Sequence, residues 1–196
     1  PYGHASVVGV DSSDALRVAG VHAVVTGEDL AAVCRPLGNI LDDRVAMYPL
    51  AVDRVRYVGE PVAIVLADSR ALAEDGADAV RVMYDAIDVV VDPIRAAEPY
   101  APLLHEAVGS NVVHDRSFVY GSPGERFGRA FRVVSHRSHF PRSAAFPLET
   151  AGVTAEFDRA SGQYTIWSNY AGPMALQTVM AASLGVPISH LRLVIP

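Results

Sequence analysis

The sequence predicts an α/β chain of the α+β kind, built from two units, and three observations carry the prediction. Strand-like and helix-like apolar patterns alternate through residues 1–92. A stretch holding Pro93, Pro99, Pro102 and Gly109 breaks that alternation and reads as an extended connector over 93–115. Beyond it, residues 116–196 carry a hairpin signature and one longer helical pattern.

The elements follow in order. Ala5–Val10 reads as a strand, and Ser12 or Ser13 offers a cap for a short helix over Asp14–Val18, closed by Gly20. Val21–Val25 is the next strand. Thr26 with Asp29 forms a capping arrangement for a helix over Glu28–Val33, and Pro36, Gly38 and Asn39 then open a loop running to Pro49. Val62–Ala67 is a continuous apolar run read as a buried strand; it feeds a helix over Ser69–Arg81, and β-rich sequence returns from Val82 to Val91. After the connector, Pro123 starts a short helix near Ser122–Ala130, and Phe131–Phe140 reads as a strand. Thr150–Phe157 and Gln163–Ser168 are hairpin strands joined by Asp158–Gly162. Pro173–Leu184 is a helix with Gly185 as its cap and Leu176, Val179, Met180 and Ser183 on one face; Leu191–Ile195 starts a last strand.

Composition narrows the function. At 196 residues the chain can bury roughly 70% of its unfolded surface, so it needs no covalent staples. Its apolar runs are far shorter than the ~20 residues of a membrane span, and Pro1 is not followed by a secretory signal. Cys34 is the only cysteine, which excludes an intrachain disulfide or a thiolate cluster and fits a cytoplasmic location. A net charge of −6 with no basic run argues against nucleic acid. Every cationic side chain is arginine, which points to a GC-rich bacterial genome.

The residues supply no complete active site. His136 and His139 would point to opposite faces of their strand and so could not clamp one ion, and no metal site is expected. His105–Glu106 and His114–Asp115 read as surface residues. Serine has no nucleophile elbow, phosphate loops are missing, and Cys34 beside Arg35 reads as a small packing residue. No catalytic residue is assigned.

Five segments taken together carry a resemblance: Pro1-Tyr2-Gly3-His4-Ala5, Val24-Val25-Thr26-Gly27-Glu28-Asp29-Leu30, Val55-Arg56-Tyr57-Val58-Gly59-Glu60-Pro61-Val62-Ala63, Pro102-Leu103-Leu104-His105-Glu106 and Phe146-Pro147-Leu148-Glu149-Thr150. With Leu184-Gly185-Val186-Pro187 they resemble, in order and spacing, the large subunits of molybdenum hydroxylases, the family of xanthine dehydrogenase, aldehyde oxidase and aerobic carbon monoxide dehydrogenase. The resemblance implies a hammerhead-like α/β domain over 1–92 and the beginning of a molybdopterin-binding domain over 116–196. It further implies a molybdenum-pterin cofactor, iron–sulfur clusters and FAD on partner subunits or domains, and oxidation of a heterocycle, an aldehyde or carbon monoxide with water as oxygen source.

By the same resemblance Tyr170, Ala171, Gly172 and Pro173 lie near the cofactor, with Ala171 where the family commonly places a glutamine. A methyl group cannot donate a hydrogen bond, so that role is vacant or passes to a neighbour such as Asn169 or to water. The chain is expected to be the front portion of such a subunit, stopping short of the Gly-rich cofactor loop and of the glutamate base, and to be inactive without the remaining part. Glu149 is read as a structural carboxylate pairing with an arginine such as Arg142, and Trp167 as a strand residue whose buried side is open. The alternative is a non-catalytic binding or assembly module with the family fold; a hydrolase using Asp and His has no supporting constellation.

Overall fold

The computed structural model describes residues 1–38, 43–45, 47–141, 143–144 and 146–195. In chain order it contains β1 (Ala5–Asp11), β2 (Val21–Thr26), α1 (Gly27–Ala31), β3 (Arg54–Val55), β4 (Ala63–Ala67), α2 (Arg70–Ala79), β5 (Arg81–Ala86), α3 (Pro93–Ala96), α4 (Pro123–Gly128), β6 (Val153–Asp158), β7 (Gln163–Ser168), α5 (Pro173–Leu184) and β8 (Leu191–Val194). Short 3-10 turns lie at Ala15–Arg17, Asp43–Val45, Glu106–Val108 and Ile188–His190.

Residues 5–86 form two separate antiparallel ladders, β3-β1-β5 and β2-β4. Alternation puts Ala5 of β1 against Val55 and Ala86, and Ala5, Ala51, Val55 and Val62 form the dry centre with Val7, Val10, Val82 and Tyr84 around it. Small residues dominate this core because the chain crosses it closely. At Gly27, an added Cβ would overlap the carbonyl oxygen of Ala51, with the carbonyl carbon 2.6 Å and the Val52 Cα 2.9 Å away. Helix α1 starts there because Thr26 accepts from the Asp29 amide while the Asp29 carboxylate accepts from the Thr26 amide, a complete capping box. Ser69 accepts from the Leu72 amide in the same way to start α2.

Three local expectations change here. The segment after β1 is a single 3-10 turn without a serine cap; Ser13 instead donates its amide to Asp11. Strand β4 is not buried on both faces: its exposure alternates, leaving Ile64 47% and Leu66 45% exposed, because α2 covers only one side of the β2-β4 pair. Phe131–Phe140 has strand-like composition but forms no strand, since no described segment lies alongside to complete its backbone hydrogen bonds.

The second sheet is β6-β7-β8, antiparallel across β6-β7 and parallel across β7-β8. The parallel pairing needs a crossover, and α5 provides it. Ile166, Ala181 and Leu191 are its buried centre, flanked by Tyr164, Met180, Val186 and Leu193. The inward stripe of α5 therefore runs through Leu176, Gln177, Met180 and Ala181, while Val179 is 42% exposed. Gln177 sits on that stripe because its amide donates to the Leu191 carbonyl at 2.5 Å, tying the helix to the strand it feeds. Ile166 takes the core side of β7 and Trp167 the outer side. Gly185 closes α5 at φ +66°, where a side chain would be strained.

The end of α5 is joined to the tail of α1. The Arg35 amide donates to the Ser183 carbonyl at 2.7 Å, and the buried Ser183 hydroxyl donates to the Arg35 carbonyl at 2.7 Å. Ser183→Ala removes one of these bonds and leaves a carbonyl without its partner, so a loss of about 1–2 kcal/mol is expected, measured as a lower urea midpoint with an unchanged slope.

Candidate functional site

The segment assigned to the cofactor is the turn between β7 and α5. Ile166 holds the end of β7 in the core, and Pro173 at the first helical position fixes where α5 begins. Between them the chain makes a tight turn: the Tyr170 amide donates to the Ser168 hydroxyl at 3.3 Å, and the Tyr170 ring lies 3.1 Å from where a Cβ on Gly172 would sit. Tyr170 is 53% exposed, and Ala171 and Pro173 are exposed beside it. No side chain caps the twelve-residue helix α5 and no acidic residue occupies its first turn, so the positive end of the helix faces this turn uncompensated. A helix start with no acidic residue in its first turn suits an anionic group.

Asn169, the neighbour that the resemblance offers in place of a glutamine at Ala171, is already committed. Its side-chain oxygen accepts from the Gly152 amide at 3.2 Å and its NH2 donates to the Thr150 carbonyl at 3.0 Å. It staples the approach to β6 onto the end of β7. Its amide is thus spent on holding the turn in place.

His136 and His139 form no metal site among the described residues. His136 and His139 are exposed in a segment without a strand, so the opposite-faces geometry does not apply, and no group of three or more His, Cys, Asp or Glu side chains among the described residues could hold a metal. Glu149 is exposed, and Arg142, suggested as its partner, lies outside the described residues. Cys34 is half-buried just past α1.

His105 is not a surface residue. It is half-buried beside buried His4, and its pKa is lowered, first by burial and then by the charges of Arg56 and His4. A base with a depressed pKa stabilises the fold above its ordinary value near 6.5 and loses that contribution as pH falls through the folded pKa. Stability should therefore decline on acidification below about pH 6.5, and His105→Gln should flatten that decline in urea melts taken at several pH values.

Asn111, unmarked in the sequence, organises the approach to this region. Its side-chain oxygen accepts from the Leu104 amide at 2.9 Å, and its NH2 donates to the carbonyls of Ala96 at 3.0 Å and Pro102 at 2.8 Å. One amide thereby replaces the backbone pairing that the prolines deny this stretch. Asn111→Ala is expected to cost about 1–3 kcal/mol and to speed amide exchange at Leu104 first.

Two family models match the chain in order: the aldehyde oxidase and xanthine dehydrogenase a/b hammerhead domain over residues 1–88, and the molybdopterin cofactor-binding domain over 104–196. The carbon monoxide dehydrogenase large chain of Hydrogenophaga pseudoflava is 35% identical over 209 residues, covering 100% of this chain and 26% of that one. The nicotine 6-hydroxylase large subunit of Paenarthrobacter nicotinovorans is 32% identical, covering 100% and 24%. The solved quinoline 2-oxidoreductase from Pseudomonas putida 86 superposes with a TM-score of 0.85 at 29% identity, over 100% of this chain and 25% of that chain. The chain thus spans about a quarter of the length of the relatives it matches. With both regions present in the family's order, it belongs to the molybdenum hydroxylase large-subunit family.

Proposed function

We propose that this chain works as part of a molybdenum-pterin oxidoreductase that hydroxylates a heterocycle or an aldehyde, or oxidises carbon monoxide, with oxygen drawn from water. The carrying observation is the ordered pair of hammerhead and cofactor-binding regions along the whole chain. In this reading residues 1–92 are the scaffold, 93–115 the connector, and 116–196 the first part of the cofactor-binding domain. When bound, the cofactor supplies the redox chemistry. The chain's own residues position it: Tyr170, Ala171, Gly172 and Pro173 form one wall, the start of α5 offers its positive end, and Asn169 keeps the wall fixed against β6. The substrate is a small molecule, and its electrons leave through iron–sulfur and flavin partners in the cytoplasm. The alternative of a non-catalytic module gains no support from the relatives, which are named as dehydrogenases and hydroxylases.

The chain exposes 14,916 Å², whereas a compact chain of its size exposes about 9,000 Å². Thousands of Å² thus await a cover, which supports a role beside the rest of a large subunit. The test is to purify the chain with that remainder and its partners, measure molybdenum and pterin, and assay hydroxylation with an artificial electron acceptor. Molybdenum with turnover is expected; an intact complex holding neither sinks the proposal.

A further inference from the structure

A cleft of about 520 Å³ lies away from the β7–α5 turn, between the start of β1, the segment after β3 and the connector. Its size falls within the ~300–1,000 Å³ of small-molecule sites. Its lining combines apolar side chains, among them Val89, Leu104 and Val112, with the polar side chains of His4, Arg56 and His105.

Two buried polar atoms have no partner among the described residues, and both belong to side chains lining this cleft: Nε2 of His4 and Nε of Arg56. Such atoms are uncommon in folded proteins and each calls for a partner. Their chemistry is complementary. Nδ1 of His4 donates to the Asp88 carbonyl at 3.3 Å, so in the tautomer that carries its single proton there Nε2 is an acceptor, while Nε of Arg56 is a donor. His105 adds a half-buried imidazole kept neutral by its lowered pKa.

Charge decides between two kinds of ligand. An anion would gain Arg56, but that guanidinium already has Asp53 at 3.8 Å, and the acidic residue Asp88 is among those lining the same cleft. A neutral group with one acceptor and one donor meets no such repulsion. We propose that the cleft binds a small ligand bearing an amide or lactam group on an apolar ring, its carbonyl accepting from Arg56, its N–H donating to an imidazole, and its ring against the valines. This goes beyond the cofactor reading and does not depend on it.

The test uses the intact protein and three probes of like shape: benzamide, benzoate and benzene. Diethyl pyrocarbonate modifies neutral imidazoles, and peptide mass spectrometry gives the rate at His105, with exposed His136 and His139 as references. Benzamide at ten times its Kd should slow modification of His105 by about tenfold and leave the references unchanged, because a site at that occupancy is free about a tenth of the time. Benzoate and benzene should protect it far less. Equal protection by benzoate, or by all three probes, overturns the amide assignment. Failure of benzamide to protect, or a His105 that never reacts because the protein itself fills the cleft, overturns the site.

Discussion

Gly27→Ala is expected to lower the stability of the hammerhead unit by about 3 kcal/mol or more, the upper range for forcing atoms into a packed interior. The methyl would overlap the Ala51 carbonyl, and its next neighbours, the Ala51 carbonyl carbon and the Val52 Cα, are also backbone, so no side chain can rotate away. The Ala51 amide donates to the Pro61 carbonyl at 2.8 Å, so the obstructing segment is itself anchored. Alanine is the better helix former, so propensity alone would predict a gain at this position; the clash is larger than the ~1 kcal/mol at stake. Urea denaturation followed by circular dichroism measures the outcome, and an unchanged midpoint would show that α1 can slide off residues 51–52. Since domains hold only about 5–15 kcal/mol in total, that loss is a large fraction of the stability and should raise the unfolded population roughly a hundredfold.

Limited proteolysis should divide the chain sharply. Residues 114–141 are exposed throughout, with Phe118 at 66%, Phe131 at 103% and Phe140 at 88%, and among the described residues only the six-residue α4 is regular there. Trypsin is expected to cut first at Arg116, Arg126, Arg132 or Arg137, while Arg81, inside β5 and paired with Asp14 at 2.7 Å, survives. Adding the remaining part of the large subunit should then slow cleavage at those sites by about a hundredfold, equivalent to ~2.7 kcal/mol of protection, because the aromatic side chains gain the cover they lack. Equal cleavage with and without that part would mean that the aromatics serve another surface.

What the sequence revealed follows from the range of the forces involved. Caps and turns are local, so Thr26 with Asp29, Pro173 and Gly185 could each be read from a few neighbouring letters, and the structure uses these three, although the cap expected at Ser12 or Ser13 is not formed. Strand partnership is not local. Phe131–Phe140 has the composition of a strand and still forms none, because a strand exists only when another chain segment supplies its hydrogen bonds. The two-sided burial expected for β4 failed for the same reason: an apolar run tells that a face can be covered, not that anything covers it. Of the candidate site, the turn Tyr170–Pro173 rests on resemblance, and what the structure adds is that Tyr170, Ala171 and Pro173 are exposed there. Asn111 and Ser183 were not, since an amide or hydroxyl becomes meaningful only once the carbonyls it reaches are brought beside it. His4 and His105 stand 101 positions apart, and no periodicity links them.

The clasp between Arg35 and Ser183 spans 148 residues of sequence. Closing so long a loop is entropically costly and is repaid only by contacts at its ends, so these two hydrogen bonds belong to the last steps of folding. On the ribosome the tail of α1 must wait until α5 has been synthesised; at about 5–20 residues per second that delay is on the order of ten seconds. During that interval the Arg35 amide and carbonyl lack both of these partners, leaving a window in which a chaperone or an assembly factor could engage the nascent chain.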